Sequence, residues 1–339
     1  MRTRTTKTFA LAAILSLTMA AGCSGGDDES ADEGPTWPLT GEQGYPEGDT
    51  RQAVTVKIEN TDAGRPQIGI DSADLVVQEL VEGGLTRLAV MFHSQYAEAA
   101  APVRSMRETD IGLVLPTGGT LAASGGAGST VAAIEGAGVP TAVEGDPGFS
   151  RDSARTSPYN VVLDVAELAA SLPDDPPPGP YLPFGQVPEG ASGSPAAEVE
   201  LRWPNAASSF SYDTADGLWT RSDLSDTTGF SFTNVIALSV PVSFSSGTDA
   251  AGTPIPTMDL TGSGQGVIAT GGQVYDIEWS KQANSSPWSF NYVPSAEDAE
   301  AQGPATFTVP SGRTWLALLP EDGGSATFSA PSTPAAETP

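Results

Sequence analysis

The sequence predicts two folded domains: an α/β or α+β N-terminal domain followed by an all-β C-terminal domain. Its length of 339 residues is typical of two domains. Strand-like and helix-like patterns mix over 53–170, whereas 198–322 shows short alternating runs without helical periodicity. A proline-rich segment, 171–197, lies between them and predicts a linker or a long irregular crossover.

The N-terminus has the pattern of a lipoprotein signal peptide over residues 1–22. Three basic residues precede an apolar run that ends in small residues and is too short to span a membrane. Cys23, the single cysteine, follows Ala-Ala-Gly as in a bacterial lipobox. The acidic stretch over 23–52 predicts a flexible linker. We therefore expect an extracytoplasmic protein anchored to the bacterial cell membrane by a lipid, such as palmitate, on Cys23; an ordinary secreted protein is the alternative.

The chain is strongly acidic, with a formal net charge of −27. Removal of the leader takes away three basic residues, which leaves 12 basic against 42 acidic residues and a net charge of −30. Such a field repels nucleic acids, so we expect no nucleic-acid partner. One cysteine excludes a disulfide framework, and one histidine, His93, excludes a histidine-cluster metal site.

Alternating and periodic patterns give the elements of the first domain. A Gly83-Gly84 turn joins two apolar, β-branched runs and indicates a β-hairpin, although a helix is the alternative for 72–82. Ser129 or Thr130 is expected to cap a helix that follows a glycine-rich turn. In order, the sequence predicts a strand at 54–58, hairpin arms at 72–82 and 85–92, a short helix at 110–115, and a strand, turn and helix over 120–137.

Short strands separated by Gly, Asp, Asn and Pro predict the second domain. The glycine-rich run 262–266 is expected to be a tight turn, and the low-complexity tail over 323–339 to be disordered. The expected strands lie at 209–213, 218–222, 234–240, 266–270, 274–280, 289–293, 305–309 and 314–320.

Positive charge is scarce, and eight of the 12 basic residues left after the leader lie between residues 51 and 155. Guanidinium groups bind phosphate or carboxylate bidentately and stay charged. Arg87, Arg104, Arg107 and Arg151 are therefore candidates for an anion pocket. The alternative is that each pairs with a nearby acid: Glu79, Glu82, Glu108 or Asp110.

Two further patterns bear on function. Residues 124–130, glycine-rich and followed by a helix, resemble an anion cradle, so Ser129 joins the candidate ligand-binding residues. Glu79 and Glu82 are the candidate catalytic carboxylates, as a general base or as ligands of a divalent metal. His93 could belong to a catalytic triad, but no nucleophile elbow is present, which favours a structural histidine.

Several strings together resemble YerB-like bacterial lipoproteins, a two-domain family of unknown function. In the first domain they are KIEN (57–60), RPQIGIDSADLVVQELVEGGLTRLAVMF (65–92), PVRSMR (102–107), Gly125-Gly126, FSR (149–151) and SPYN (157–160). In the second they are WTRS (219–222), NVIAL (234–238), GSGQG (262–266), IEW (277–279) and SGRTWLALLP (311–320). The likeness covers about 53–165 and 198–320, with Tyr159 where the family usually has histidine. It implies a lipid anchor and two domains, and it implies no reaction.

The order of hairpin, arginine loop and glycine-helix unit is also similar to that of the LytR–CpsA–Psr phosphotransferases. Two hypotheses follow. In the first, a non-catalytic surface lipoprotein binds an anionic envelope ligand or an envelope protein through the arginines. In the second, an envelope phosphotransferase or hydrolase holds a pyrophosphate-linked lipid or glycan, with a divalent metal as cofactor.

Overall fold

The structure, a computed structural model, describes residues 34–225, 229–249, 252–294 and 305–331. These described residues belong to one compact unit. Across the described residues, no helix combines the length and the apolar character needed to cross a bilayer. The predicted leader and Cys23 lie outside the described residues.

Strands dominate the described part of the chain, and its helices are short. The helices are α1 (Asp110–Val114), α2 (Gly128–Gly136) and α3 (Val165–Ser171), with single 3₁₀ turns at Asp62–Gly64, Ile70–Ser72, Glu82–Gly84 and Leu115–Thr117. The first ten strands are β1 (Val54–Glu59), β2 (Leu75–Leu80), β3 (Thr86–Phe92), β4 (Thr120–Ala123), β5 (Thr141–Val143), β6 (Phe149–Arg151), β7 (Val161–Leu163), β8 (Ser194–Pro195), β9 (Glu198–Trp203) and β10 (Ala206–Asp213). The remaining strands are β11 (Leu218–Arg221), β12 (Ser231–Phe232), β13 (Asn234–Val240), β14 (Val242–Thr248), β15 (Pro254–Met258), β16 (Gly262–Thr270), β17 (Gln273–Lys281), β18 (Ser289–Tyr292), β19 (Thr314–Pro320) and β20 (Ser325–Ser329).

One 11-stranded sheet runs through the molecule in the order β18-β17-β16-β13-β19-β2-β3-β1-β4-β5, with β8 paired to β17. β19 lies parallel to β13 on one side and to β2 on the other. Strands from both predicted domains therefore share a sheet. The strand-rich second region is confirmed. The first region contributes five of the eleven strands, so the sheet crosses the boundary at which the sequence pattern changes.

A smaller sheet, β12-β11-β10-β9-β20, packs on the large one through aromatic side chains. The ring of Trp315 on β19 lies 5.3 Å from that of Phe210 and 5.4 Å from that of Phe232, both at steep angles. All seven residues of β19 are buried. A continuous apolar run is typical of a parallel strand covered on both faces, which explains the sequence WLALL.

Most predicted elements of the first region are confirmed. β2 and β3 form the antiparallel hairpin, with Leu80 opposite Thr86, so the helix alternative for 72–82 is wrong. The predicted cap of α2 is also wrong: Ala127 precedes the helix, and no side chain caps it.

Two predictions in the second region are wrong. Residues 262–266 form the start of β16 and not a turn. A Cβ at Gly264 would lie 2.7 Å from the indole nitrogen of Trp279, so glycine is needed there for packing. Residues 305–309 carry isolated bridges and no strand.

The segments predicted as linkers or tail are partly packed. In the described part of 23–52, Leu39 is buried, and Trp37 and Tyr45 surround His93 with ring centroids 5.4 and 5.7 Å away. Tyr181 and Leu182 of the proline-rich segment are buried. The tail includes β20, which pairs with β9. Buried aromatic and aliphatic side chains fix the first two segments to the core, whereas β20 is mostly exposed and is held by its pairing with β9.

Candidate anion-binding site

The strand register places charged residues on one buried face of the large sheet. Arg87 on β3 lies opposite Glu59 on β1 and opposite Glu79 on β2. Directly opposed residues project from the same face, and Lys57 shares that face because it lies two residues from Glu59. All four of these residues are buried. The sheet therefore carries a row of charges where an apolar row would be usual.

Residues 102–107, PVRSMR, lie alongside β1. They bond to its last residues, beyond the part of β1 that pairs with β4. Glu59 donates its backbone N–H to the Pro102 carbonyl, and Arg104 donates its own to the Lys57 carbonyl at 2.8 Å. Ser124, just after β4, donates to the Arg104 carbonyl at 3.0 Å. The backbone of the segment is thus bonded on both sides, which fixes the directions of its side chains.

Arg107 and Arg87 converge at this segment. Arg87 donates to the Ser105 carbonyl at 3.1 Å, and Arg107 donates to the same oxygen at 3.4 Å and to the Met106 carbonyl at 2.8 Å. Arg107 also pairs with Glu82 at 2.6 Å. Two guanidinium groups therefore share one carbonyl oxygen.

Arg104 completes the group. It pairs with Glu59 at 2.9 Å, donates to the Pro158 carbonyl at 3.3 Å, and lies 5.4 Å from the ring centroid of Tyr159. Arg87, Arg104 and Arg107, with the strand residues beneath them, are called the arginine face below. The alternative of local acid pairing describes two of the three arginines, because Arg104 and Arg107 each have a carboxylate partner.

Arg87 differs from its neighbours. It forms no ion pair with a carboxylate among the described residues, and its Nε, like that of Arg107, is buried without a hydrogen-bond partner there. Burial, followed by the charge of Arg107, lowers the pKa of Arg87 to about 10, against the attraction of Glu59 and Glu82. The group stays protonated at neutral pH, so it remains a buried cation with no carboxylate hydrogen-bonded to it.

Beneath the arginines lies a separate ionic group. Lys57 pairs with Glu79 and, at 2.7 Å, with Asp110 at the start of α1; all three are fully buried. Asp110 also accepts the backbone N–H of Arg107 at 2.7 Å. Burial raises the pKa of Glu79 to about 7, against the attraction of Lys57.

The cations and carboxylates of the face nearly balance. With Glu79 ionised their sum is zero, and with Glu79 protonated it is +1. Burial acts to raise the pKa of Glu59, but Arg87 and the other donors outweigh it and lower that pKa. The members are Lys57, Arg87, Arg104 and Arg107 against Glu59, Glu79, Glu82 and Asp110.

Arg151 and Ser129, the other predicted binding residues, make no hydrogen bond or ion pair with the three arginines in the described part of the chain. Arg151 is exposed on β6 and pairs with Glu144 through two bonds of 2.6 and 2.7 Å. Ser129 is exposed in the first turn of α2. Within the described residues, no group of three or more His, Cys, Asp or Glu side chains is arranged to hold a metal ion.

Sequence reasoning missed Lys57 and Glu59 as members of the site. Their signal is visible in KIEN: two charged residues at i and i+2 in a strand whose other face is apolar. Such spacing places both on one face of a buried strand, which requires partners on the same face.

The comparison with protein families identifies both halves of the chain. Residues 39–177 match the family described as "Protein of unknown function (DUF3048) N-terminal domain", and residues 199–316 match the corresponding C-terminal domain. The chain belongs to the DUF3048 family. The large sheet therefore joins the two DUF3048 domains through β19 and β2.

Relatives within this family are YerB proteins. "Putative lipoprotein YerB" of Bacillus subtilis (strain 168) is 42% identical over 71 residues, and this match spans 21% of the chain and only 22% of that protein. The crystal structure of the YerB protein from Bacillus subtilis matches with a TM-score of 0.69 at 23% identity, over 87% of this chain and 100% of that one. The structural likeness shows a shared fold.

Two of the strings on which the YerB-like resemblance rests meet at the seam of the two DUF3048 domains: Arg221 of WTRS is buried and donates to the Asn60 side chain of KIEN at 2.9 Å. Asn205 of the second domain also crosses the seam and donates to the Gly83 carbonyl of EGGLTR at 2.7 Å. Within the first domain, Arg104 of PVRSMR contacts Tyr159 of SPYN.

Proposed function

We propose that this chain is an extracytoplasmic lipoprotein that binds an anionic ligand at the arginine face. The observation that carries the proposal is the buried, unpaired guanidinium of Arg87 beside Arg107 and Arg104. Buried charges in proteins are normally paired, because desolvation of a lone ion is costly. A phosphate or carboxylate group on the ligand would accept bidentate bonds from guanidinium groups whose donors are not all used within the protein.

The anchor belongs to the same proposal. The lipobox-like Cys23, the acidic stretch after it and the lipoprotein name of the relative support a lipid on that cysteine. A Cys23→Ala variant should move from the membrane fraction to the soluble fraction of the cell. Unchanged membrane attachment of this variant would contradict the anchor without affecting the anion site.

The anion site is tested by thermal unfolding with pyrophosphate. At a concentration tenfold above the Kd, the ligand should stabilise the protein by about 1.4 kcal/mol, or about 3 °C. Arg87→Gln should lose this shift, measured against its own ligand-free midpoint. Arg202→Gln removes an exposed arginine of β9, paired with Glu200, and should keep the shift.

Each outcome of this experiment has a distinct meaning. A shift that survives in Arg87→Gln would contradict the site, and no shift with pyrophosphate, orthophosphate or a dicarboxylate would favour an envelope protein as the partner. A shift only with Mg²⁺ would favour the phosphotransferase or hydrolase alternative. That alternative has no specific support in the geometry, because Glu79 is bonded to Lys57 and Glu82 to Arg107.

A further inference from the structure

A cavity of about 530 Å³ lies at the seam of the two DUF3048 domains, next to the arginine face but separate from its charged groups. The turn after β1, the start of β3 and Tyr159 form one side, and the end of the β9–β10 turn with the start of β10, at 205–207, forms the other. This volume falls in the range of about 300–1,000 Å³ that is usual for small-molecule sites.

The walls of this seam cavity are held in place by hydrogen bonds between the two domains. Asn205 donates its backbone N–H to the Gly84 carbonyl at 2.9 Å and its side-chain amide to the Gly83 carbonyl. Asn60 donates to the Thr86 hydroxyl at 2.8 Å and accepts from the buried Arg221. A ligand would therefore meet a preformed site, which lowers the entropic cost of binding.

The lining combines planar polar groups with one aromatic ring. Arg65 and Asp62 pair at 2.7 Å and cancel in charge, while the Nε of Arg65 is buried without a partner among the described residues. Tyr159 is half-buried, and its ring stays in place because Arg104 packs over it. A charge-balanced, hydroxyl-bonding cavity with an aromatic side favours a neutral, hydroxylated ring over an ion.

Arg65 also lies in the wall of a second cavity, of about 620 Å³, bordered by Gln67 and Ile70. Two adjoining cavities that share one side chain suit a ligand longer than a single ring. From this geometry we propose that the seam cavity binds a neutral oligosaccharide, with one sugar ring against Tyr159 and its hydroxyls bonded to the polar wall. This inference goes beyond the anion site and does not depend on it.

Isothermal titration of the full chain in detergent with cellotriose, maltotriose and chitotriose tests the proposal. At least one trisaccharide should bind, and Tyr159→Ala should weaken its binding at least about tenfold, as expected for loss of about 1.4 kcal/mol. Ala207→Trp fills the cavity from an exposed strand position and should abolish binding. Its matched control, Ala215→Trp, lies in an exposed turn outside the cavity and should bind as the parent does.

The result that overturns the proposal is no binding of any of the three sugars at about 10 mM, well above the 1 mM Kd that corresponds to about −4.1 kcal/mol. Binding that survives Ala207→Trp would place the sugar elsewhere and also overturn it. Loss in Ala207→Trp with retention in Tyr159→Ala would keep the cavity and overturn the role of the ring. The pyrophosphate shift should be unchanged in Ala207→Trp, so that failure here is distinguishable from failure of the anion site.

Discussion

Lys57 and Lys281 are both buried, and they are held in different ways. Lys57 lies between two carboxylates, those of Glu79 and Asp110. Lys281 donates to three backbone carbonyls, including that of Asn284 at 2.7 Å, and burial lowers its pKa to about 8. Loss of the first lysine leaves two buried anions, whereas loss of the second leaves only neutral acceptors.

We therefore expect Lys57→Met to be the more damaging change. Removing one partner of a buried ion pair costs about 3–5 kcal/mol, whereas an unsatisfied neutral group costs about 1–3 kcal/mol. Urea unfolding of Lys57→Met and of its control, Lys281→Met, measures the difference. Equal losses of stability would mean that the carboxylates find other partners when the lysine is absent.

At the residue scale, the sequence offered nearby acids as partners for the arginines; Glu82 does pair with Arg107, whereas the partner of Arg104 was not among them. Acids are so abundant that proximity in sequence could not show which would pair: Arg104 pairs with Glu59, 45 residues away, and not with Glu108, which is much nearer in sequence. Pairing depends on which strand lies beside which, and that information is not local. The unpaired state of Arg87 was therefore beyond sequence reasoning.

At the element scale, the β2–β3 turn does more than reverse the chain. Gly83 and Gly84 both have left-handed backbone, with φ of 69° and 72°. Only at Gly84 would an added Cβ meet the β9–β10 turn, 2.9 Å from the Cβ of Pro204. No atom lies within 4 Å of a Cβ at Gly83. Substitutions at the two glycines can therefore separate the cost of backbone strain from the cost of overpacking.

Gly83→Ala should cost about 1–2 kcal/mol, from left-handed backbone alone. Gly84→Ala should cost about 1–3 kcal/mol more, because the added methyl group also overpacks the contact between the two domains. The midpoints of thermal unfolding of the two variants give the comparison. If both fall by the same amount, the contact with Pro204 adapts without cost.

The elements themselves were largely predictable, because apolar alternation and turn glycines act within a few residues. The hairpin, the short helix at 110–114 and the β4–α2 unit all followed from such patterns. The prediction of a turn at 262–266 was wrong for the opposite reason. Glycine is needed there because a Cβ would clash with Trp279 or Leu238 on neighbouring strands, and the local sequence does not show this requirement.

At the scale of the whole molecule, the large sheet couples the two DUF3048 domains. β19 has parallel partners on both sides, with Leu316 opposite both Ile236 and Val77. Pairing between strands that lie more than 200 residues apart in the sequence gives no local signal. The sequence therefore predicted two separate domains and not a shared sheet. A sheet that is continuous in hydrogen bonds is expected to melt as one body.

We therefore predict a single cooperative unfolding transition. Five of the six tryptophans follow residue 198, so their fluorescence reports the second domain. Hydrogen exchange of the β1 and β3 amides in increasing urea reports the first. The two midpoints should coincide, and two separated transitions would show that the domains unfold independently despite the shared sheet.

The central position of β19 also bears on the order of events during synthesis. The chain is made from its N-terminus, and β19, at 314–320, emerges more than 200 residues after β2, at 75–80. Until then, the edge of β2 has unpaired backbone groups, and an exposed apolar edge invites pairing with other chains. The sheet of the first domain therefore stays open while these residues are made, and a nascent chain of this kind depends on protection from aggregation until β19 arrives.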